Sequence, residues 1–206
     1  MPIITKISIQ KKKGRYNVEI DESFAFGVSE ILLARENLYK GLELSLQRVQ
    51  NLQQASVEDK LYEKALNFLS YRPRSRREMG IYLKKKLLHD QKDIIETILT
   101  RLEKQSYLND TEFAKWWVEQ RTQSRNPKGL RLIKAELYQK GVVREVVDKA
   151  LSQVDSEHLV KKAALKQAQR YKDLDTQIFK RRLSSYLLRR GFLWEHIKPV
   201  VDEIAK

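Results

Sequence analysis

Hydrophobic and polar positions alternate at the start of the chain, with Ile3, Thr5, Ile7 and Ile9 on one face. After Lys11-Lys12-Lys13-Gly14 the alternation resumes at Tyr16, Val18 and Ile20. This pattern predicts a β-hairpin with a glycine-containing turn. Phe24, Phe26 and Val28 offer a third strand, and Ser29 is placed to cap a short helix through Ile31, Leu32 and Leu33, which Lys40-Gly41 would end. A two-stranded hairpin is marginal alone, so the third strand or a covering helix is required.

From about residue 57 the period becomes helical. Leu61, Ala65, Leu66 and Leu69 share a face, and the helix must stop before Arg72-Pro73 because proline disfavours α geometry in its predecessor. Ser75-Arg76-Arg77-Glu78 fits a capping box that opens a second helix carrying Met79, Leu83 and Leu87. Ile94, Ile95, Ile98, Leu99 and Leu102 mark a third, and Asn109-Asp110-Thr111-Glu112 restarts the cycle with another cap.

The chain also resembles itself. Residues 76–86 align with 130–140 and 181–190, bringing Met79, Ile133 and Leu183 into correspondence, and likewise Leu83, Leu137 and Leu187. The offsets are 54 and 50 residues, within the range of repeat architectures. Ile98-Leu99, Ala150-Leu151 and Val200-Val201 match downstream, with two extra residues in the first repeat. The expected fold is mainly α: tandem three-helix repeats in an elongated array, preceded by a small β-hairpin or sheet. Its boundaries are 1–56 for the β-rich segment with its short helix, then 57–108, 109–155 and 156–206 for the repeats. Each unit is too small to bury its apolar stripe alone, so neighbours must stack.

Composition sharpens this picture. Hydrophobic residues make up 41% of the 206, enough for a packed core. The absence of cysteine excludes disulfides, thiolate metal sites and cysteine nucleophiles. Nothing near Met1 reads as a signal peptide, and no apolar run approaches the roughly 20 residues that span a bilayer. A cytoplasmic protein without membrane contact is expected. Eight lysines and arginines in residues 1–59 are matched by eight acidic residues, so the whole formal charge of +14 belongs to 60–206. Such asymmetry points that part at a polyanion.

Cations recur at equivalent places. Arg77, Arg131 and Arg181 align at what the pattern reads as the start of each middle helix, thickened by Arg74, Arg76, Lys128, Lys134, Lys180 and Arg182. A cation there costs about 0.3–1 kcal/mol against the helix dipole, and free N–H groups bind phosphate, so an external anion is the sharper reading. The blander reading is solvation, or pairing with Glu78 and Glu136. Lys84, Lys85, Lys86, Lys140, Arg189 and Arg190 fall at the ends of the same helices, where the dipole favours cations without any ligand. The loop Arg125-Asn126-Pro127-Lys128-Gly129 is a basic backbone contact candidate.

Phe113 and Trp117 fall on one face at i,i+4 and read as core, whereas Trp116 points about 100° away, to a repeat junction or a partner. Tyr71, Tyr107, Tyr171 and Trp194 read as junction residues. His89, His158 and His196 lack a metal or acid–base context, and Asp90, Asp93, Asp173 and Asp175 read as caps. No phosphate loop or dinucleotide fingerprint is present. Neither catalytic residues, a metal nor a cofactor is expected, and no base-reading motif is evident.

"YRPRSRREMGIYLKKK" (71–86), "YLNDTEFAKWWVEQR" (107–121) and "KGLRLIKAELYQKGV" (128–142) resemble the RecX family of RecA-regulating proteins. Residues 4–41 are similar to the leading β segment of its Gram-positive members, and the third repeat, ending at "RRGF" (189–192), matches less closely. Leu87 departs from the pattern, standing where the other repeats have Gly141 and Gly191. The resemblance implies a regulator that binds the RecA recombinase filament on single-stranded DNA; a monomer is expected. It also implies inhibition of ATP hydrolysis and strand exchange in DNA repair and recombination. Duplex DNA is a further expected ligand. Members of this group often carry another C-terminal module. The alternative reading is a RecA-independent architectural or repressor protein; an enzyme acting on nucleic acid would need converging carboxylates, which the sequence does not supply.

Overall fold

The computed structural model describes residues 1–11, 14–87 and 92–205. Its elements fall into two compact units, Met1–Arg72 with Gly80–Tyr107, and Pro73–Met79 with Leu108–Lys206.

The first unit opens with an antiparallel sheet of order β1-β2-β3, formed by Ile4–Ile9, Arg15–Ile20 and Ser23–Ser29. Val18 on the central strand pairs with Ile7 on one side and Phe26 on the other, and is fully buried. A bulge between Ile4 and Lys6 breaks the alternation expected from Ile3 onward. Ile4 is buried in the core against which Ile7 also packs, because one extra residue in a strand moves its neighbours to the opposite face; Ile9, the last residue of the strand, is 72% exposed. Asp21 and Glu22 turn β2 into β3 with φ of 48° and 66°. Local bonds offset that left-handed geometry: the Ile3 N–H donates to Asp21 Oδ1 at 3.0 Å and the Glu22 N–H to Thr5 Oγ1 at 2.9 Å.

Ser29 caps α1 (Glu30–Arg35), its hydroxyl accepting from the Leu32 N–H. The helix ends before Glu36, ahead of Lys40-Gly41, where Asn37 takes a positive φ of 49°. Helix α2 (Leu46–Ser70) starts well before residue 57, capped by Ser45. Its first turns, rich in glutamine, bury Leu52 and part of Val49, so they carry little apolar period. It packs on β3 and on α4 (Lys92–Lys104). Tyr62 of α2 lies beneath the Arg101 guanidinium, 3.8 Å from its ring centroid, and donates to Gln105.

Helix α3 (Arg76–Lys84) begins in the second unit, which continues with α5 (Asp110–Thr122), α6 (Leu130–Gln139) and α7 (Arg144–Leu151) around Phe113, Trp117, Ile133, Leu137 and Val147. Then α8 (Ser156–Ala168), α9 (Thr176–Arg189) and α10 (Trp194–Ile204) enclose Phe179, Leu183, Leu187, Phe192 and Ile197. Met79, Ile133 and Leu183 are all fully buried, as are Leu83, Leu137 and Leu187. The aligned apolar positions are therefore equivalent core positions. Among the described residues, no helix is long and apolar enough to cross a membrane.

Candidate nucleic-acid interface

Each middle-helix start has its free N–H groups met from within the fold. At α3 the capping box closes in full: Ser75 Oγ accepts from the Glu78 N–H at 3.1 Å, and a Glu78 carboxylate oxygen accepts from the Ser75 N–H at 3.4 Å. The Arg76 N–H donates to Asp110 at 2.8 Å. Ser75, wholly buried, also donates its hydroxyl proton to the Lys140 carbonyl at 2.7 Å, and Lys140 Nζ reaches Glu78 at 2.6 Å. At α6 the cap is Gly129, with no side chain to offer. Its N–H donates to the Arg190 carbonyl at 2.8 Å, and the Arg131 N–H donates to the Gly191 carbonyl at 3.2 Å.

These are one joint used twice. Ser75 and Gly129 are 54 residues apart, and Lys140 and Arg190 are 50 apart, the same offsets as the core positions. The start of one middle helix meets the end of the next, so unmet N–H groups face unmet carbonyls and opposite dipole ends adjoin. Gly141 and Gly191 complete the joint with φ of 81° and 87°. A Cβ on Gly141 would lie 2.7 Å from the Arg77 side chain, and one on Gly191 2.5 Å from Leu132. The premise that these helix starts await an external anion therefore does not hold for α3 and α6: another helix end fills the place. For α9 the alignment misplaced the start. Asp175 caps it, accepting from the Gln177 N–H at 2.8 Å, so Lys180, Arg181 and Arg182 lie in its second turn.

Protein partners take up many of the candidate cations. Lys128 and Arg121 pair with Glu136, which also accepts from Trp117 Nε1 at 2.8 Å. Lys140 and Arg121 both lie over the Trp117 ring, at 4.2 and 3.9 Å from its centroid. Lys134 meets Asp148, and Lys180 meets Asp202, each at 2.6 Å. Arg131 donates to the Leu188 carbonyl at 3.3 Å, and Arg190 to the carbonyls of Asn126 and Pro127. Arg74 and Arg76 are half-buried and engaged within the fold. Arg77, Lys84, Lys85, Lys86, Arg125, Arg181, Arg182 and Arg189 are exposed. Lys84 ends α3 and Arg189 ends α9, with Lys85 and Lys86 just beyond α3. Sequence reasoning passed over Lys162, Lys166 and Arg170, exposed at four-residue spacing along and just past α8.

Burial raises the Glu136 pKa, but donation from Lys128, Arg121 and Trp117 outweighs it and leaves the carboxyl below the ordinary glutamate range. A depressed folded pKa means stability that is present above the unfolded value and lost as pH falls through the folded one. The melting temperature should therefore fall as acid protonates Glu136, and Glu136→Gln should flatten that limb in a pH series of thermal melts. Parallel pH profiles for the two proteins would refute this.

Trp117 and Phe113 are buried, and Trp116 is half-buried beside them, 6.0 Å from Trp117 between ring centroids. Tyr71, Tyr107 and Trp194 are 76%, 58% and 54% exposed, so their side chains do not fill junctions as expected; Tyr171 packs against the α8–α10 core. His158 is exposed and His196 half-buried; His89 and Asp90 lie outside the described residues. Among the described residues, no group of three or more histidines and carboxylates is arranged to hold a metal.

Four family models cover the chain: the regulatory protein RecX N-terminal domain at residues 2–45, and the first, second and third RecX three-helix domains at 62–102, 109–151 and 155–201. The chain belongs to the RecX family. Regulatory protein RecX of Listeria monocytogenes serotype 4a is 34% identical over 204 residues, covering 97% of this chain and 75% of that one. RecX of Lactobacillus johnsonii is 38% identical over 160 residues, covering 78% of this chain and 58% of that relative's length. A crystal structure of regulatory protein RecX superposes with a TM-score of 0.76 at 30% identity, covering 98% of this chain and all of that one. RecX from Lactobacillus salivarius gives 0.65 at 29% identity, covering 73% and 97%. The two curated relatives and the first of these structures are named as regulatory proteins rather than enzymes.

Proposed function

We propose that this chain binds the RecA filament on single-stranded DNA and inhibits RecA ATP hydrolysis and strand exchange. It would act as a cytoplasmic monomer without a cofactor or catalysis of its own, with 57–108, 109–155 and 156–206 as successive modules. Membership of the RecX family along nearly the whole chain carries this reading. The charge supports it: a positive excess confined to residues 60–206 suits a filament that presents phosphate, and the exposed arginines and lysines leave cations available for it. The test is to titrate the full chain into RecA hydrolysing ATP on circular single-stranded DNA. ATP turnover should fall at substoichiometric chain. Unchanged turnover at saturating chain would reject the proposal, and sequence-dependent duplex binding that survives high salt would favour a RecA-independent DNA-binding protein.

A further inference from the structure

The cations of the second unit separate into two kinds. Lys134, Lys140, Lys161 and Lys180 each have a carboxylate oxygen at 2.6 Å. Lys166 on α8 has none among the described residues. Its ammonium is pinned by neutral acceptors of the α5–α6 loop, Asn126 Oδ1 at 2.7 Å and the Arg125 carbonyl at 3.3 Å. The loop is itself held: Pro127 is buried, Arg190 donates to its carbonyl at 2.9 Å, and the Lys128 N–H donates to the Arg121 carbonyl at 3.1 Å. A positive charge is thus fixed in place and left exposed.

Its charged neighbours have the same sign. Partial desolvation first, then the charges of Arg125 and Arg170, lower the Lys166 pKa. Lys162 lies one turn back on α8, about 6 Å along the axis, and Arg170 follows just past the helix end. The helix dipole favours a cation near a C-terminus by a few tenths of a kcal/mol, but it gives no reason to collect Lys166 and Arg170 beside Arg125. Like charges held together without an internal counter-ion are stabilised when an anion arrives from outside.

We infer that Arg125, Lys162, Lys166 and Arg170 form a phosphate-contacting surface for a single-stranded polynucleotide. A row of single-sign charge matches a repeating polyanion, whereas the centres of protein interfaces are depleted in lysine and set their arginines among aromatic anchors. This assignment rests on the proposed function only in taking nucleic acid as a ligand, and it moves the contact away from the starts of α3 and α6, which the joints occupy.

The test uses the full chain and a fluorescent 30-nucleotide oligothymidylate, with affinity measured by anisotropy across a salt series. Lys162→Gln/Lys166→Gln/Arg170→Gln should weaken binding at least about tenfold at moderate salt and reduce the log–log salt slope by about 2, as expected for three lost phosphate contacts on a single strand. A charge-matched control, Lys40→Gln/Lys115→Gln/Lys149→Gln, alters exposed lysines elsewhere and should weaken binding no more than about twofold if phosphate contacts are local. Replacing Lys162 and Lys166 by arginine should retain affinity. Equal loss in the two triple variants, both folded by circular dichroism, would overturn the surface. So would unchanged DNA affinity with lost RecA inhibition, which would assign the patch to an acidic protein face. Failure of the unaltered chain to inhibit RecA would reject the proposed function and leave the anisotropy result standing.

Discussion

Gly129→Ala is expected to destabilise the second unit by about 3 kcal/mol, the upper part of the range for overpacking, and to lower its melting temperature by about 10 °C. The backbone is not the cause, since Gly129 has φ of −74°, which any residue adopts. The added Cβ would lie 2.3 Å from the carbonyl carbon and oxygen of Gly191 and 2.4 Å from the Phe192 nitrogen. Those atoms belong to backbone and cannot rotate away as a flexible side chain would. Relief requires the end of α9 to retreat, which breaks the bonds from Gly129 to Arg190 and from Arg131 to Gly191. Gly129→Ser makes the comparison sharper: by local rules serine is a better N-cap than glycine, yet it should be at least as damaging here. Thermal melts of the two variants decide the point, and a Gly129→Ser protein as stable as the parent would show that the joint yields at no cost.

Asp59→Ala is expected to remove about 3 kcal/mol from the first unit, because it takes the acceptor from the Ser29 N–H and hydroxyl, a loss of about 1–3 kcal/mol for each buried polar group left unpaired, while Arg15 keeps Glu63. Arg15 on the central strand is 5% exposed and reaches Asp59 at 3.4 Å, Glu63 at 2.9 Å and the Gly27 carbonyl at 3.1 Å. The other Asp59 contacts are its distinguishing feature. Its carboxylate accepts from the Ser29 N–H at 3.0 Å and the Ser29 hydroxyl at 2.9 Å, and that hydroxyl caps α1. One side chain on α2 therefore ties the central strand, the end of β3 and the start of α1. Glu63→Ala should cost less, because Arg15 keeps Asp59 and Glu63 is the more exposed carboxylate. Denaturant midpoints would rank the two, with hydrogen exchange locating the loss in the sheet. Equal destabilisation would mean that the Ser29 contacts contribute nothing.

Much of this architecture could be read locally. Ser29, Ser75, Asn109 and Asp175 all cap helices as their residue types imply, because a cap is a contact between a side chain and its own next turn. The three strands and the buried positions at 54 and 50 residue offsets were legible because period and burial are tied by backbone geometry. The start of α2 was hidden, since a helix that exposes most of its first turns needs no apolar stripe there. The facing of β1 was hidden too, because a bulge is set by the partner strand.

The candidate interface divides along the same line. By itself the sequence determined that the helical part is basic, that it repeats, and that arginine recurs at equivalent positions. Only the tertiary structure decided which cations have internal counter-ions. Lys134 is matched by a carboxylate 14 residues away and Lys140 by one 62 residues away, and Arg190 is bound by carbonyls on another helix's approach. Lys166 has the same formal charge as these and a different fate, set by what folding brings beside it. Charge is a property of the residue, but its availability depends on the distance to the nearest opposite charge, and packing rather than position along the chain sets that distance.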